Sequence, residues 1–349
     1  MKHTGLMARL KASGLKLHQS RLEFLSLMMI AVVQARTVNL ASLVGMMEGK
    51  AQADSFYRRA QRFFQGLQLF DEMVFQYALK LHPQKSYSLC LDRTNWKFGK
   101  LDINILTLAY AHEGVAVPLL WCLLPKAGNS ATQERIALLE RLLKLLPLEQ
   151  LEVLLADREF VGGEWFAYLC EQNLPFVIRV RKDALGDGWF RLFGFFQHLP
   201  IGEHKVLKQR YAIFGVTLAV AGARLADGEY LIVVSNRTPK QALTSYAKRW
   251  QIECLFKALK SSGFDFEATH LRHLDRINTL LVVVSLAFLW ALKVGEFVHR
   301  QLKPVPLKSH GRKKKSLFRT GLDHLRHLLT NAVGKKRDLD LCLQLLSCT

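Results

Sequence analysis

The sequence predicts a mixed α/β fold, with helices packed on a sheet, on three observations. Half of its 349 residues are apolar, enough for a sizeable core. From about residue 85, short runs alternate large apolar residues with smaller or polar ones, as strands do. Between those runs stand segments with Leu and Ile at i, i+3 and i+4, the spacing of amphipathic helices, and this alternation of types gives layered α/β folds. The length suits one large domain with insertions, or two to three smaller ones.

Residues 1–78 read as helical. Asn39 is placed to cap a helix through Met47, and Asp54 to cap another through Phe64, with Glu48-Gly49-Lys50 as the turn between them. Arg58 and Arg62 stand four apart, so they share a helix face. The pair of helices reads either as a helix-turn-helix whose arginines meet DNA or as an ordinary pair with a solvated basic face. Upstream, Phe24 to Val33 is apolar and resembles a signal peptide. Arg21 and Glu23 crowd it, and a buried helix is the simpler account.

Residues 79–182 carry the strands. Tyr87, Leu89 and Leu91 mark the first. Ile103 to Ala111 and Ala116 to Leu124 are the next two, joined by a turn over His112-Glu113-Gly114-Val115. Thr132 to Leu146 is a helix, Val153 to Ala156 a short apolar strand, Gly162-Gly163 the opening of a helix through Gln172, and Pro175 to Arg181 a fifth strand. Residues 183–236 are β-rich, notably Arg210 to Val220 and Tyr230 to Val234, and read as an insertion. In residues 237–300, Pro239 to Ser262 reads as one long helix. Leu280 to Leu292 is an apolar run of about 13 residues, short of the roughly 20 that span a bilayer, and reads as a core helix. Residues 301–349 are basic, with Arg312-Lys313-Lys314-Lys315 and Lys335-Lys336-Arg337 as either phosphate contacts or a solvated tail.

Charge narrows the function. Lys and Arg number 49 against 29 Asp and Glu, a net charge of +20. A chain this basic meets a polyanion, nucleic acid first and an anionic membrane surface second. The basic residues are spread along the chain rather than gathered on one amphipathic helix, which puts the membrane reading last. The six cysteines form no C-x-x-C pair, and no H-E-x-x-H occurs, against a zinc finger or a disulfide framework and in favour of reduced thiols in the cytoplasm.

Two acids follow apolar strands, where catalytic acids of α/β folds stand: Asp92 after Ser88-Leu89-Cys90-Leu91, and Asp157 after Val153-Leu154-Leu155-Ala156. On neighbouring strands they would repel, and a divalent cation held by carboxylate oxygens, Mg²⁺ or Mn²⁺, relieves that repulsion. The long helix offers a third acid. On a continuous helix Tyr246, Arg249, Glu253 and Lys260 fall within roughly 60° of one another. Spacing alone equally describes an amphipathic helix with an Arg–Glu pair worth a few tenths of a kcal/mol.

The pattern Tyr246-x2-Arg249-x3-Glu253-x6-Lys260 resembles the signature of the insertion-sequence-four family of bacterial transposases. Leu91-Asp92-Arg93-Thr94 resembles that family's first-aspartate strand, and Asp157-Arg158-Glu159-Phe160 its second-aspartate segment. The resemblance covers about residues 35 to 295. It implies a ribonuclease-H-like catalytic core with a β-rich insertion before the glutamate, and two Mg²⁺ or Mn²⁺ ions held by Asp92, Asp157 and Glu253. It further implies cut-and-paste chemistry on terminal inverted repeats and target DNA, through a hairpin at the element end, by a homodimer, in the bacterial cytoplasm at the nucleoid. Tyr246 and Arg249 resemble residues that grip the phosphate of a flipped base, and Lys260 one that contacts DNA nearby. Trp250 is a candidate stacking surface or a core residue. Trp189, Tyr211, Phe214 and Tyr230 compete for a second stacking role in the β-rich part. The rival functions are a metal nuclease that never joins ends and a non-catalytic DNA-binding repressor.

Overall fold

The computed structural model describes residues 2–47, 53–238, 241–309, 311, 313–331 and 334–346. Five helices come first: α1 (Lys2–Ala12), α2 (Gln19–Ala35), α3 (Leu40–Val44), α4 (Ala53–Gly66) and α5 (Asp71–Leu81). Asn39 caps α3 through its side-chain oxygen, which accepts from the amides of Ala41 and Ser42, as the sequence predicts; α3 is shorter than expected and ends at Val44. Asp54 lies inside the first turn of α4 rather than before it. The expected turn at Glu48-Gly49-Lys50 lies outside the described residues.

The strands follow: β1 (Tyr87–Phe98), β2 (Leu101–His112) and β3 (Val115–Leu124), then α6 (Thr132–Leu145), β4 (Leu151–Ala156), α7 (Gly163–Glu171) and β5 (Phe176–Val180). β1, β2 and β3 form an antiparallel meander, and β4 and β5 run parallel to β1. The β2–β3 turn puts Glu113 and Gly114 at φ 44° and 94°, a left-handed pair that matches the twist of a hairpin. The β-rich part supplies β6 (His204–Ile213), β7 (Val216–Arg224) and β8 (Tyr230–Ser235). These do not stand apart. β8 pairs antiparallel with β5, so one eight-stranded sheet runs β3-β2-β1-β4-β5-β8-β7-β6.

The expected long helix from Pro239 is broken. Pro239 lies outside the described residues, and the rest is α8 (Ala242–Ala247), a tight turn at Lys248 and Arg249, and α9 (Trp250–Leu259). The amides of Lys248 and Arg249 bond only three residues back, which tightens the chain there.

α10 (Leu274–Phe297) is far longer than the apolar run inside it. It is long and apolar enough to cross a membrane, yet 89% of its most apolar stretch is buried within the fold. Asn278, Lys293 and Glu296 interrupt the run without ending the helix, because each has a partner: the carbonyls of Leu69 and Leu81 and the imidazole of His112. The basic C-terminal part folds as α11 (Leu317–Thr330) and α12 (Lys336–Gln344), and Arg312 lies outside the described residues. α11 packs on α10 and α2, and α12 on α1, so the two ends of the chain share one helical body. At the α10–α11 crossing, a Cβ at Gly295 or Gly321 would fall 1.8 Å from the carbonyl oxygen of Leu317 or Ala291, so only glycine lets the backbones approach this closely.

Candidate active site

Strand alternation sorts the side chains of β1. Cys90, Asp92, Thr94 and Trp96 share one face, where α9 lies: Cys90 meets the carbonyl of Lys248, Asp92 meets Arg249, and Thr94 and Trp96 line a small apolar recess with Phe256 and Leu259. Arg93 takes the other face and grips both oxygens of Glu159 at 3.1 Å. That pairing commits Glu159 to Arg93, and neither partner was singled out for it by spacing, since 66 positions separate them.

The parallel register puts Leu91 beside Ala156, so Asp92 and Asp157 emerge side by side from adjacent strands. Each carboxylate accepts the amide of the next residue, Arg93 at 2.7 Å and Arg158 at 2.6 Å. Burial pushes the Asp92 carboxyl up to about 7; the Arg93 amide and Arg249 oppose the rise, and Glu159 and Asp157 add to it.

Glu253 lies in the first turn of α9. Arg249, buried at the α8–α9 turn, bridges it to β1, with one nitrogen 3.3 Å from Asp92 and another bonded to Glu253. Burial alone would lower the guanidinium pKa; Tyr246, Glu253 and Asp92 outweigh it and hold the charge firmly. Tyr246 is buried on α8, which raises its pKa, with the Arg249 guanidinium 5.7 Å from its ring centroid. The Tyr246 hydroxyl and Arg249 Nε are both enclosed, and the two side chains interact with each other beside the acids.

The expected four-residue stripe does not survive whole. Lys260 lies past the last turn of α9, where it bonds Glu267 at 2.7 Å and the Asn95 carbonyl at 3.4 Å and covers the Trp96 ring at 5.1 Å. It belongs to the far end of β1. Trp250 is not a core residue: it is 60% exposed beside Arg249. Of the four competing aromatics, Trp189 stands free at 85% exposure, Tyr230 is held by the Gln197 carbonyl, Tyr211 packs on Phe190 and Phe195, and Phe214 leans on Phe166. Arg58 and Arg62 are exposed on α4, in the helical body. Beside α4 runs a groove with no local mark in the sequence, bounded by Tyr57, Gln61, Phe64, Leu271, Arg272 and Arg276.

A family model described as "Transposase DDE domain" matches residues 89–290, which include Asp92, Asp157, Tyr246, Arg249, Trp250, Glu253 and Lys260 but not Arg58 or Arg62. Among curated proteins nothing matches. A solved structure, the cryo-EM structure of a piggyBac transposase synaptic complex with hairpin DNA, is similar over 92% of this chain and 73% of that one, at 13% identity and a TM-score of 0.48.

Proposed function

This chain belongs to the DDE transposase family, and from that premise we propose that it is a cut-and-paste transposase of the insertion-sequence-four type whose metal-binding acids are Asp92, Asp157 and Glu253. The observation that carries the reading is the bridge at Arg249: one buried guanidinium ties Asp92 to Glu253, with Asp157 on the strand beside Asp92.

The donor set fits the metal. Carboxylate oxygens suit Mg²⁺ or Mn²⁺, and a cation would relieve Asp92, which burial and its acidic neighbours lift toward neutral pH. Two ions bound by these acids would supply activation of water or a 3′-hydroxyl and stabilisation of the leaving oxygen in an in-line displacement at phosphorus. The remaining work falls to the chain's own groups. Tyr246 and Arg249, side by side next to the acids, would take a DNA phosphate as the Arg249 contacts to Asp92 and Glu253 give way to a bound cation. Trp250 and Trp189 offer exposed faces on which an unstacked base can rest. Lys260, Arg58 and Arg62 add phosphate contacts.

The ribonuclease-H-like description of the core is supported by the antiparallel β1–β3 meander flanked by parallel β4 and β5. The organisation proposed is a helical DNA-binding part (1–78), a core in two parts (79–182 and 237–300) around the β-rich insertion (183–236), and a basic C-terminal part (301–349). The element end is nicked, the freed 3′-hydroxyl displaces the opposite strand to close a hairpin, and the reopened end is joined to target DNA. Pairing two ends calls for a homodimer, acting in the bacterial cytoplasm at the nucleoid.

The test is to incubate the full chain with a duplex carrying the element's terminal inverted repeat and Mg²⁺. Nicked and then hairpin product, both abolished by chelation, is expected. Cut ends without hairpin would favour a nuclease, and binding without cleavage a repressor.

A further inference from the structure

Away from the three acids, three side chains from distant parts of the chain converge: His82 just past the end of α5, His112 at the end of β2, and Glu296 in the last turn of α10. Their ligand-capable atoms all lie within 4.8 Å of one another. Both Nε2 atoms face the same oxygen, Glu296 Oε1, at 2.6 Å from His112 and 3.0 Å from His82. We propose that these three residues bind one divalent ion of the zinc class, a clasp that joins α5, β2 and α10.

Four observations carry this. First, His82 Nε2 is close to the carboxylate but is not aligned to hydrogen-bond it, and His82 Nδ1 has no partner either, although the ring is buried. Ligands around a shared ion are related in this way, because each aims its lone pair at the metal rather than at its neighbour. Second, zinc bonds of about 2.0–2.1 Å set ligand atoms roughly 3.4 Å apart, so the ion fits once the His82 and His112 contacts to Oε1, now 3.0 and 2.6 Å, open by about 0.4 and about 0.8 Å. Third, the supporting shell is present. Lys293 lies 3.7 Å from the other carboxylate oxygen while donating to the Leu81 carbonyl at 2.8 Å, which leaves Oε1 as a single ligand atom. The Gln84 amide lies 3.3 Å from His112 Nδ1, and with its oxygen turned inward it accepts the Nδ1 proton and frees Nε2. Fourth, the buried Tyr110 hydroxyl lacks a partner, its ring lies edge-on to His112, and it feels the charge of Glu296. Water in the ion's fourth position would supply that partner.

The nitrogen-rich set separates this site from the all-oxygen set at Asp92, which suits magnesium.

The experiment uses the full chain, stripped with chelator and titrated with Co²⁺ and Zn²⁺. One tightly held equivalent is expected, with a tetrahedral Co²⁺ absorption band and a higher unfolding temperature in Zn²⁺. Glu253→Gln should retain this ion, and His112→Gln should bind it roughly 100-fold or more weakly. Because His112→Gln also removes structural contacts to Glu296 and Gln84, the Co²⁺ spectrum of the unsubstituted chain decides independently. No band and no thermal shift would overturn the proposal. So would an ion lost in Glu253→Gln and kept in a folded His112→Gln.

Discussion

Asp92, half-buried, and Glu296, buried, are two carboxylates that lose solvent in the same molecule, and their surroundings push them in opposite directions. Asp92 stands beside Asp157 and near Glu159, with one guanidinium shared between it and Glu253, and burial drives it up to about 7. Glu296 meets two imidazoles and an ammonium and stays ionised. Burial is common to both, so the neighbours decide. A cluster that holds more acids than it can neutralise is poor stability design, and such excess marks a place that works on a charged partner. A single acid surrounded by donors fastens elements together.

The comparison breaks most visibly on substitution. Asp92→Asn should reduce DNA cleavage on the order of 10³-fold, since several kcal/mol of charge stabilisation is lost. In chelator at pH 8 it should also raise stability, by on the order of 2 kcal/mol. The sign follows from the raised pKa: a folded Asp92 near 7 binds a proton more tightly than the unfolded one, so ionising it above that pH costs stability, and Asn removes the cost. Chemical denaturation with and without chelator checks both parts. Glu296→Ala should do the reverse, lowering stability by about 3 kcal/mol, because it strands buried partners; an unchanged unfolding midpoint would remove the fastening role.

Smaller effects sharpen the same contrast. Arg249→Ala should slow hairpin formation roughly 10- to 100-fold while nicking suffers less, the loss of a charge-assisted contact made to a displaced phosphate; quenched-flow product analysis separates the two steps. Gly321→Ala should cost about 1–3 kcal/mol of stability with no separate effect on catalysis, since it forces α10 and α11 apart. Last, Arg58→Ala and Arg62→Ala should each lower the salt dependence of DNA binding by about one counterion, leaving cleavage of bound DNA intact.

Much of the sheet was legible because its signal is local. Alternation on β1, β2 and β3 and the apolar run of β4 need only neighbouring residues, and they placed Asp92 and Asp157 at strand positions that the parallel register brings together. What failed depended on context. A continuous helix from Pro239 was a fair reading of period, but the chain tightens at Lys248 and Arg249, and Lys260 falls past the end of α9 beside Glu267 and Trp96. The α10 run looked short because Asn278, Lys293 and Glu296 are polar, and only distant partners make them tolerable in a core helix. In the C-terminal part the lysine runs masked Leu322, Leu325, Leu328 and Leu329, whose helical spacing docks α11. His82, His112 and Glu296 left no signature at all, since nothing local links residues that meet only through the fold.

The central claim is that Asp92, Asp157 and Glu253 form one metal-dependent cutting site. The most direct measurement is strand cleavage of a terminal-repeat duplex in Mn²⁺ by the unsubstituted chain and by Asp157→Ala and Glu253→Ala, with DNA binding measured on the same samples. The account predicts cleavage by the unsubstituted chain alone and similar binding by all three. Cleavage that persists in either variant would take that acid out of the site and contradict the account.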